Sequence, residues 1–283
     1  MIRFFGYFIF TTGETAKGKV GTKMRQKTKN ILVLLLVAGL MISLCGCSAI
    51  RSKISEISGS NQMDTAIEKE ETSAQVPDGT TTVEVSNVEE FLNAIDSNVT
   101  IYLKEGTYNL SQAADYGTES SGNYRWNEVY DGYEFTIQNV DNLRIVGAGQ
   151  GKTVITSDPR FAHVIVFENC DQVQVQDLTA GHTEQPGECT GGVLGFVFSS
   201  NCLVSQCGLY GCGTFGVTTK GVSNLEIKDS EIYDCTIGAL SFSNSQSIAV
   251  DGCNIHDCPT PLLEVYDCTD ITMDGKTVEG IDF

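Results

Sequence analysis

Four cysteines, Cys189, Cys212, Cys235 and Cys258, follow one another at intervals of 23 residues. Three more rows keep the same interval: Val204, Ile227, Val250 and Met273; Leu194, Val217, Leu240 and Leu263; Leu209, Ile232, Ile255 and Val278. A period shared by independent rows marks a repeat architecture and has to be settled before any local element is read. Within a unit, short pieces carry apolar residues two apart, as in Leu240/Phe242 and Ile248/Val250, and a third piece runs from Asn254 to Cys258. Period-two alternation is the strand signal. Gly, Asn, Ser and Asp lie between the pieces and supply turns. No helical stripe persists for three turns within 133–283. Each unit is therefore three short strands and three turns, one coil of a solenoid. A lone coil cannot cover its inward side chains, whereas stacked coils form a continuous interior. The expected fold is all-β, a right-handed parallel β-helix with like strands about 4.8 Å apart along the axis.

Earlier coils follow the same plan with longer returns. Paired strands are expected at Phe135/Ile137 with Leu143/Ile145, at Val164/Val166 with Val173/Val175, and at Leu194/Phe196 with Cys202/Val204. The return spans 19 residues from Ile145 to Val164 and from Val175 to Leu194, then 13 from Val204 to Val217 and onward. Insertions thus gather in the N-terminal half. Residues 86–110 predict a cap: Ser86 or Asn87 closes a short helix carrying Val88, Phe91, Leu92 and Ile95, and Val99/Ile101/Leu103 form the first strand. A leucine-rich repeat shares the period but requires a denser leucine pattern and one strand per unit. The repeated cysteine suits a small, soft, buried side chain. Nine cysteines besides Cys47 follow the leader, an odd number, so a mostly reduced stack is favoured over a disulfide frame. No metal site is expected, because ligands in a line do not make a tetrahedron.

The chain has 283 residues and a formal charge of −18. Residues 1–46 hold seven Lys/Arg and one acid, leaving 11 basic and 35 acidic side chains beyond them. Such an acidic body repels nucleic acid, and meets a polyanionic glycan only through a bridging cation such as calcium. Residues 24–46 read as a lipoprotein signal peptide: Arg25, Lys27 and Lys29 precede a 14-residue apolar run, Ile31 to Leu44, short for a membrane span, with an uncleaved anchor helix as the alternative. Cys47 in "LCGC" is the expected lipidated residue. Residues 1–23 precede a better start at Met24. Residues 47–80 read as a flexible tether and 81–283 as the β-helix domain, expected to be a lipid-anchored, extracytoplasmic monomer.

The run "NLRIVGAGQGKTVI", the 23-residue coils and the helical cap together resemble the pectate-lyase-like family of right-handed β-helix proteins, over roughly residues 83–283. That resemblance implies a fold shared by polysaccharide lyases, glycoside hydrolases, esterases, accessory proteins and non-enzymatic surface proteins, so it does not select an activity. The polygalacturonase-like signatures are absent: Gly181-His182 is followed by Thr183, and Arg144-Ile145 by Val146. The aspartates and arginine of a pectate-lyase-like calcium site find no matching positions. "GAGQGKT" is not a phosphate loop, because Val146 stands where the first glycine is required.

Solenoids carry function where loops leave the regular coil. Stretches 111–132, 156–162 and 180–190 precede one strand row in successive coils and should share a rim, walling a cleft about 10–15 Å long. The first offers Tyr124, Arg125, Trp126, Tyr130 and Asp131, with Tyr133, as sugar-stacking rings and hydroxyl-binding polar groups. The second offers Asp158, Arg160 and His163. The third offers His182, Glu184 and Glu188 as an acid–base set, since one imidazole and two carboxylates can titrate apart. The expected function is binding, and by the third loop cleavage, of an extracellular glycan. A non-catalytic adhesive module and an envelope accessory for metal or cofactor assembly are the alternatives.

Overall fold

The structure, a computed structural model, describes residues 80–278 except 119–121, 184–188 and 212. The leader, Cys47 and the tether up to residue 79 lie outside the described residues, as do Glu184 and Glu188. The chain visits three parallel sheets in rotation and builds a right-handed parallel β-helix. One coil runs through Leu194–Val197 in a seven-stranded sheet, Ser200–Ser205 in a nine-stranded sheet and Gly208–Tyr210 in a six-stranded sheet. The next repeats this with Val217–Lys220, Ser223–Lys228 and Glu231–Tyr233.

The repeat rows are the registers. Leu194 pairs with Val217, Leu240 with Leu263, and Val204, Ile227, Val250 and Met273 lie in one column. The row beginning at Leu209 continues through Ile232 and Ile255 but not to Val278. There the chain reverses at Gly275, whose φ of +70° suits a tight turn. Lys276–Thr277 then returns antiparallel to Thr272 and Met273, and the Val278 N–H donates to the Ile271 carbonyl at 2.9 Å.

Inward residues stack along the axis. Ile137, Phe167, Phe196, Thr219, Phe242 and Val265 form one column of the seven-stranded sheet. All are buried, and the Phe167 and Phe196 rings stack at 5.1 Å and 21°. Corners between the seven- and nine-stranded sheets turn through left-handed residues: Asn169, Phe198, Gly221, Asn244 and Asp267 have φ from +48° to +68°. Asparagine and aspartate accept that conformation more readily than other side chains. The next residue at each corner is Cys170, Ser199, Val222, Ser245 or Cys268. Ser245 Oγ accepts the Val222 N–H at 3.0 Å, and Cys268 Sγ accepts the Ser245 N–H at 3.4 Å. Serine and cysteine are interchangeable here because each ties one coil to the next through the backbone. Cysteine is thus more than an apolar filler at these corners. None of the eight described cysteines is in a disulfide. Burial pushes the thiols of Cys202 and Cys207 up to about 12, so they stay protonated and unreactive.

The cap forms as the sequence implies, with one strand more. The helix Val88–Asn93 has Asn87 as its N-cap, whose Oδ1 accepts the Glu90 N–H at 2.9 Å. Glu90 Oε2 reaches back to the Ser86 N–H at 2.8 Å, one residue before the N-cap, a return bond like that of a capping box. Phe91 and Leu92 face the core. The missed strand is Thr81–Val85, which pairs with Val99–Leu103, so the expected first strand is the second.

Outside the six-stranded sheet, Tyr210, Tyr233 and His256 stack in a column, the last two rings 5.3 Å apart and 7° from parallel. His256 Nδ1 lies 2.7 Å from Asp257 Oδ2 and Nε2 3.0 Å from Glu231 Oε1. These carboxylates, Asp257 first, raise its pKa above the ordinary 6.5. A raised folded value means that the contribution is complete below the unfolded value and is lost as pH rises through the folded one. His256→Tyr keeps the stack and removes the charge. The Tm advantage of the wild type over this variant should therefore be full below the ordinary imidazole value of 6.5 and shrink as pH rises above it. A difference independent of pH would show that the ring acts by stacking alone.

Candidate functional site

The insertion 111–132 folds as a 3-10 turn, Leu110–Gln112, and a hairpin that adds Tyr124–Val129 antiparallel to Gly132–Gln138 at the edge of the seven-stranded sheet. Alternation along the added strand sends Tyr124 and Trp126 inward and Arg125 and Asn127 outward. Trp126 is 9% exposed, with Phe135 at 4.9 Å and Tyr116 edge-on at 5.1 Å. Tyr124, equally buried, donates its hydroxyl to Asp115 at 2.6 Å. This corrects the expectation of a sugar platform at these two residues: the hairpin closes over the core and their faces are spent on packing. Arg125 is likewise engaged, its guanidinium held by Glu168, Gln138 and Asn127. It serves the sheet surface rather than a ligand.

The hairpin tip is different. Tyr130 is 88% exposed, its ring 5.0 Å from Phe161. The Asp131 carboxylate accepts the N–H groups of Arg160 (2.7 Å) and Phe161 (3.2 Å), clamping the second loop to the first. Asp158 Oδ1 accepts the Thr183 hydroxyl at 2.6 Å and the Asn109 amide at 3.0 Å, tying in the base of the third. These loops enclose an open cleft of about 520 Å³, lined by Ser111, Tyr116, Asp131, Asp158, Arg160 and Phe161. Of the predicted residues, Asp131, Asp158 and Arg160 meet there, and Tyr130 stands at its lip.

His182 does not join them as a base. The strand Thr179–His182 runs on through this residue, pairing it with Ser157, and leaves the ring 2% exposed. Its Nε2–H donates to the Ala162 carbonyl at 2.9 Å, and burial lowers its pKa. The imidazole is neutral, enclosed and committed to the backbone, which overturns its assignment to a protruding loop.

A polar chain the sequence did not reveal lies beside the cleft. His163 Nδ1 is 2.8 Å from Glu134 Oε2, which also accepts the His163 backbone N–H at 2.8 Å. His163 Nε2 is 3.0 Å from Thr218 Oγ1. Burial alone would raise the Glu134 carboxyl; the His163 ring and N–H, with Arg125 beyond, outweigh it and hold the group below its ordinary value. The imidazole crosses a whole coil to reach Thr218. It can do so because Gly195 and Gly192 lie beneath it: a Cβ on either would sit 3.2 or 3.1 Å from the ring carbon Cδ2. The three residues are 29 and 55 positions apart, so no local motif announces them. The one sequence signal is Gly195, a glycine in the outward row occupied by Val166, Thr218 and Ser241. Among the described residues no cluster of three or more metal-ligating side chains occurs.

The family described as "right handed beta helix region" matches residues 163–282. No curated protein gives a significant match. Among solved structures, the ORF18 protein of Geobacillus virus E2 aligns at 15% identity and TM-score 0.47, over 63% of this chain and 35% of its own. A candidate glycosyl hydrolase from Parabacteroides merdae aligns at 10% identity and TM-score 0.45, over 71% of this chain and all of its own. A pectate lyase from Paenibacillus aligns at 11% identity and TM-score 0.36, over 61% and 60%. The chain thus spans only about a third of the viral protein and three-fifths of the lyase.

Proposed function

We propose, for a chain whose residues 163–282 form a right-handed β-helix region, that it binds an extracellular polysaccharide in the cleft between the 111–132 and 156–162 loops. The observation that carries this reading is the cleft itself. It is open and polar, floored by Asp131, Asp158 and Arg160, with Tyr130 and Phe161 at one side. Aromatic faces suit the apolar faces of sugar rings and the polar groups suit their hydroxyls. The acidic body favours a neutral glycan, or an acidic one bridged by calcium. Lipidation at Cys47 would hold the domain at the cell surface, with the polar segment to residue 80 as its tether. Cleavage has no support from His182, so the reading is binding, as an adhesive or carbohydrate-capturing module would do.

Binding to a panel of neutral and calcium-loaded acidic polysaccharides tests it. Tyr130→Ala and Phe161→Ala should each weaken the Kd for a bound glycan about tenfold, the effect of losing about 1.4 kcal/mol. Tyr130 is too exposed for its removal to disturb the fold. Unchanged affinity in both variants, or no polysaccharide bound by the wild type, would contradict this function.

A further inference from the structure

The hydrogen-bonded chain of Glu134, His163 and Thr218 stands apart from the cleft contacts, and the polysaccharide reading does not use it. We infer that it is a nucleophilic site, with Thr218 attacking, His163 as general base and Glu134 orienting the imidazole, and that its substrates are short-chain carboxylic esters.

The order of groups is what the chemistry needs. A hydroxyl is a weak nucleophile unless a base within hydrogen-bond reach takes its proton, and that base must present the correct tautomer. Glu134 Oε2, 2.8 Å from Nδ1, fixes the proton on that nitrogen. The Nε2 lone pair is thereby aimed at Thr218 Oγ1, 3.0 Å away. The carboxylate is itself held by the His163 N–H, so ring and acid cannot drift apart. The constellation is recognised by roles and distances rather than by sequence position. Glycine at 192 and 195 leaves open the space through which the ring reaches Thr218. The three groups are partly buried rather than sealed in the core, and that partial cover favours a small acyl group. Lys220, two residues on, lies on the same outward face of the strand and is exposed, the cation nearest along that face.

In the first step Thr218 Oγ bonds to the ester carbonyl carbon and its proton passes to His163 Nε2. The bond from that carbon to the alkoxy oxygen then breaks, and the alcohol leaves with the proton from Nε2. In the second step water gives a proton to Nε2, its oxygen bonds to the acyl carbon, and Thr218 Oγ departs and recovers the proton. The sum is ester plus water to carboxylic acid plus alcohol.

The test is turnover of p-nitrophenyl acetate by the purified full chain, with labelling by a fluorophosphonate. Multiple turnovers are expected, with a phosphonyl adduct mapping to Thr218. Thr218→Val and His163→Gln should each lower the rate about 100-fold or more, and Thr218→Ser should retain it. Valine already occupies the equivalent outward position at Val166, so Thr218→Val is sterically suited to the row. The adduct position is read on the wild type and needs no variant to fold. No turnover beyond one equivalent, an adduct elsewhere, or a Thr218→Val rate within about threefold of the wild type would overturn the assignment.

Discussion

Phe196→Ala is expected to lower the unfolding free energy by about 3–5 kcal/mol. The side chain is fully buried, stacked on Phe167 at 5.1 Å on one side and followed by Thr219 on the other. The cavity would lie midway along the solenoid, where coils on both sides are held by registered hydrogen bonds and cannot collapse into it. Neighbouring coils contact only each other, so a weak coil also uncouples the two ends. Urea denaturation should show a lower midpoint and a transition that broadens or splits. A loss below about 1 kcal/mol would mean that the column tolerates a gap, against close packing.

Gly191→Ala should be nearly as damaging, at about 3 kcal/mol, the upper end for one added methyl group. A Cβ at residue 191 would lie 1.9 Å from the Ala162 carbonyl oxygen and 2.4 Å from its carbon. Those are backbone atoms, and both segments are held by backbone hydrogen bonds close to the strands they lead into. The Gly191 N–H donates to the Arg160 carbonyl at 3.1 Å, and its own carbonyl accepts the Thr214 N–H at 2.5 Å. The displaced carbonyl is also the acceptor for His182. Hydrogen exchange should accelerate in residues 160–163 beneath the cleft as well as at 191. Stability within about 1 kcal/mol of the wild type would show that the loop can shift to admit the methyl group.

The regular coils were legible because their inward side chains are interchangeable by position. Leu194, Val217, Leu240 and Leu263 carry the same burden and therefore the same chemistry. Where the constraint lapses, so does the signal. Val278 kept the interval by residue type while the backbone reversed at Gly275. The strand Thr81–Val85 follows a polar Ser/Thr-rich segment and has too few apolar residues to stand out. The loops 111–132 and 156–162 do meet, through Asp131 and the N–H groups of Arg160 and Phe161, yet the orientation of their side chains is not legible in the sequence. Trp126 and Tyr130 are four residues apart on one hairpin, and only the structure separates the packed ring from the exposed one. His163 looked like part of a loop and is a bridge across a coil, a relation set by stacking rather than by neighbours in the chain.

The equal-length turns from Val193 onward have one more implication. Since each presents the next with the same edge, a block of 23 residues is a natural unit of duplication or deletion. Overall length can then vary by whole steps during descent while the irregular front half keeps its geometry. Steps added beyond the coil that carries Thr218 would leave both the front half and the Glu134–His163–Thr218 chain untouched.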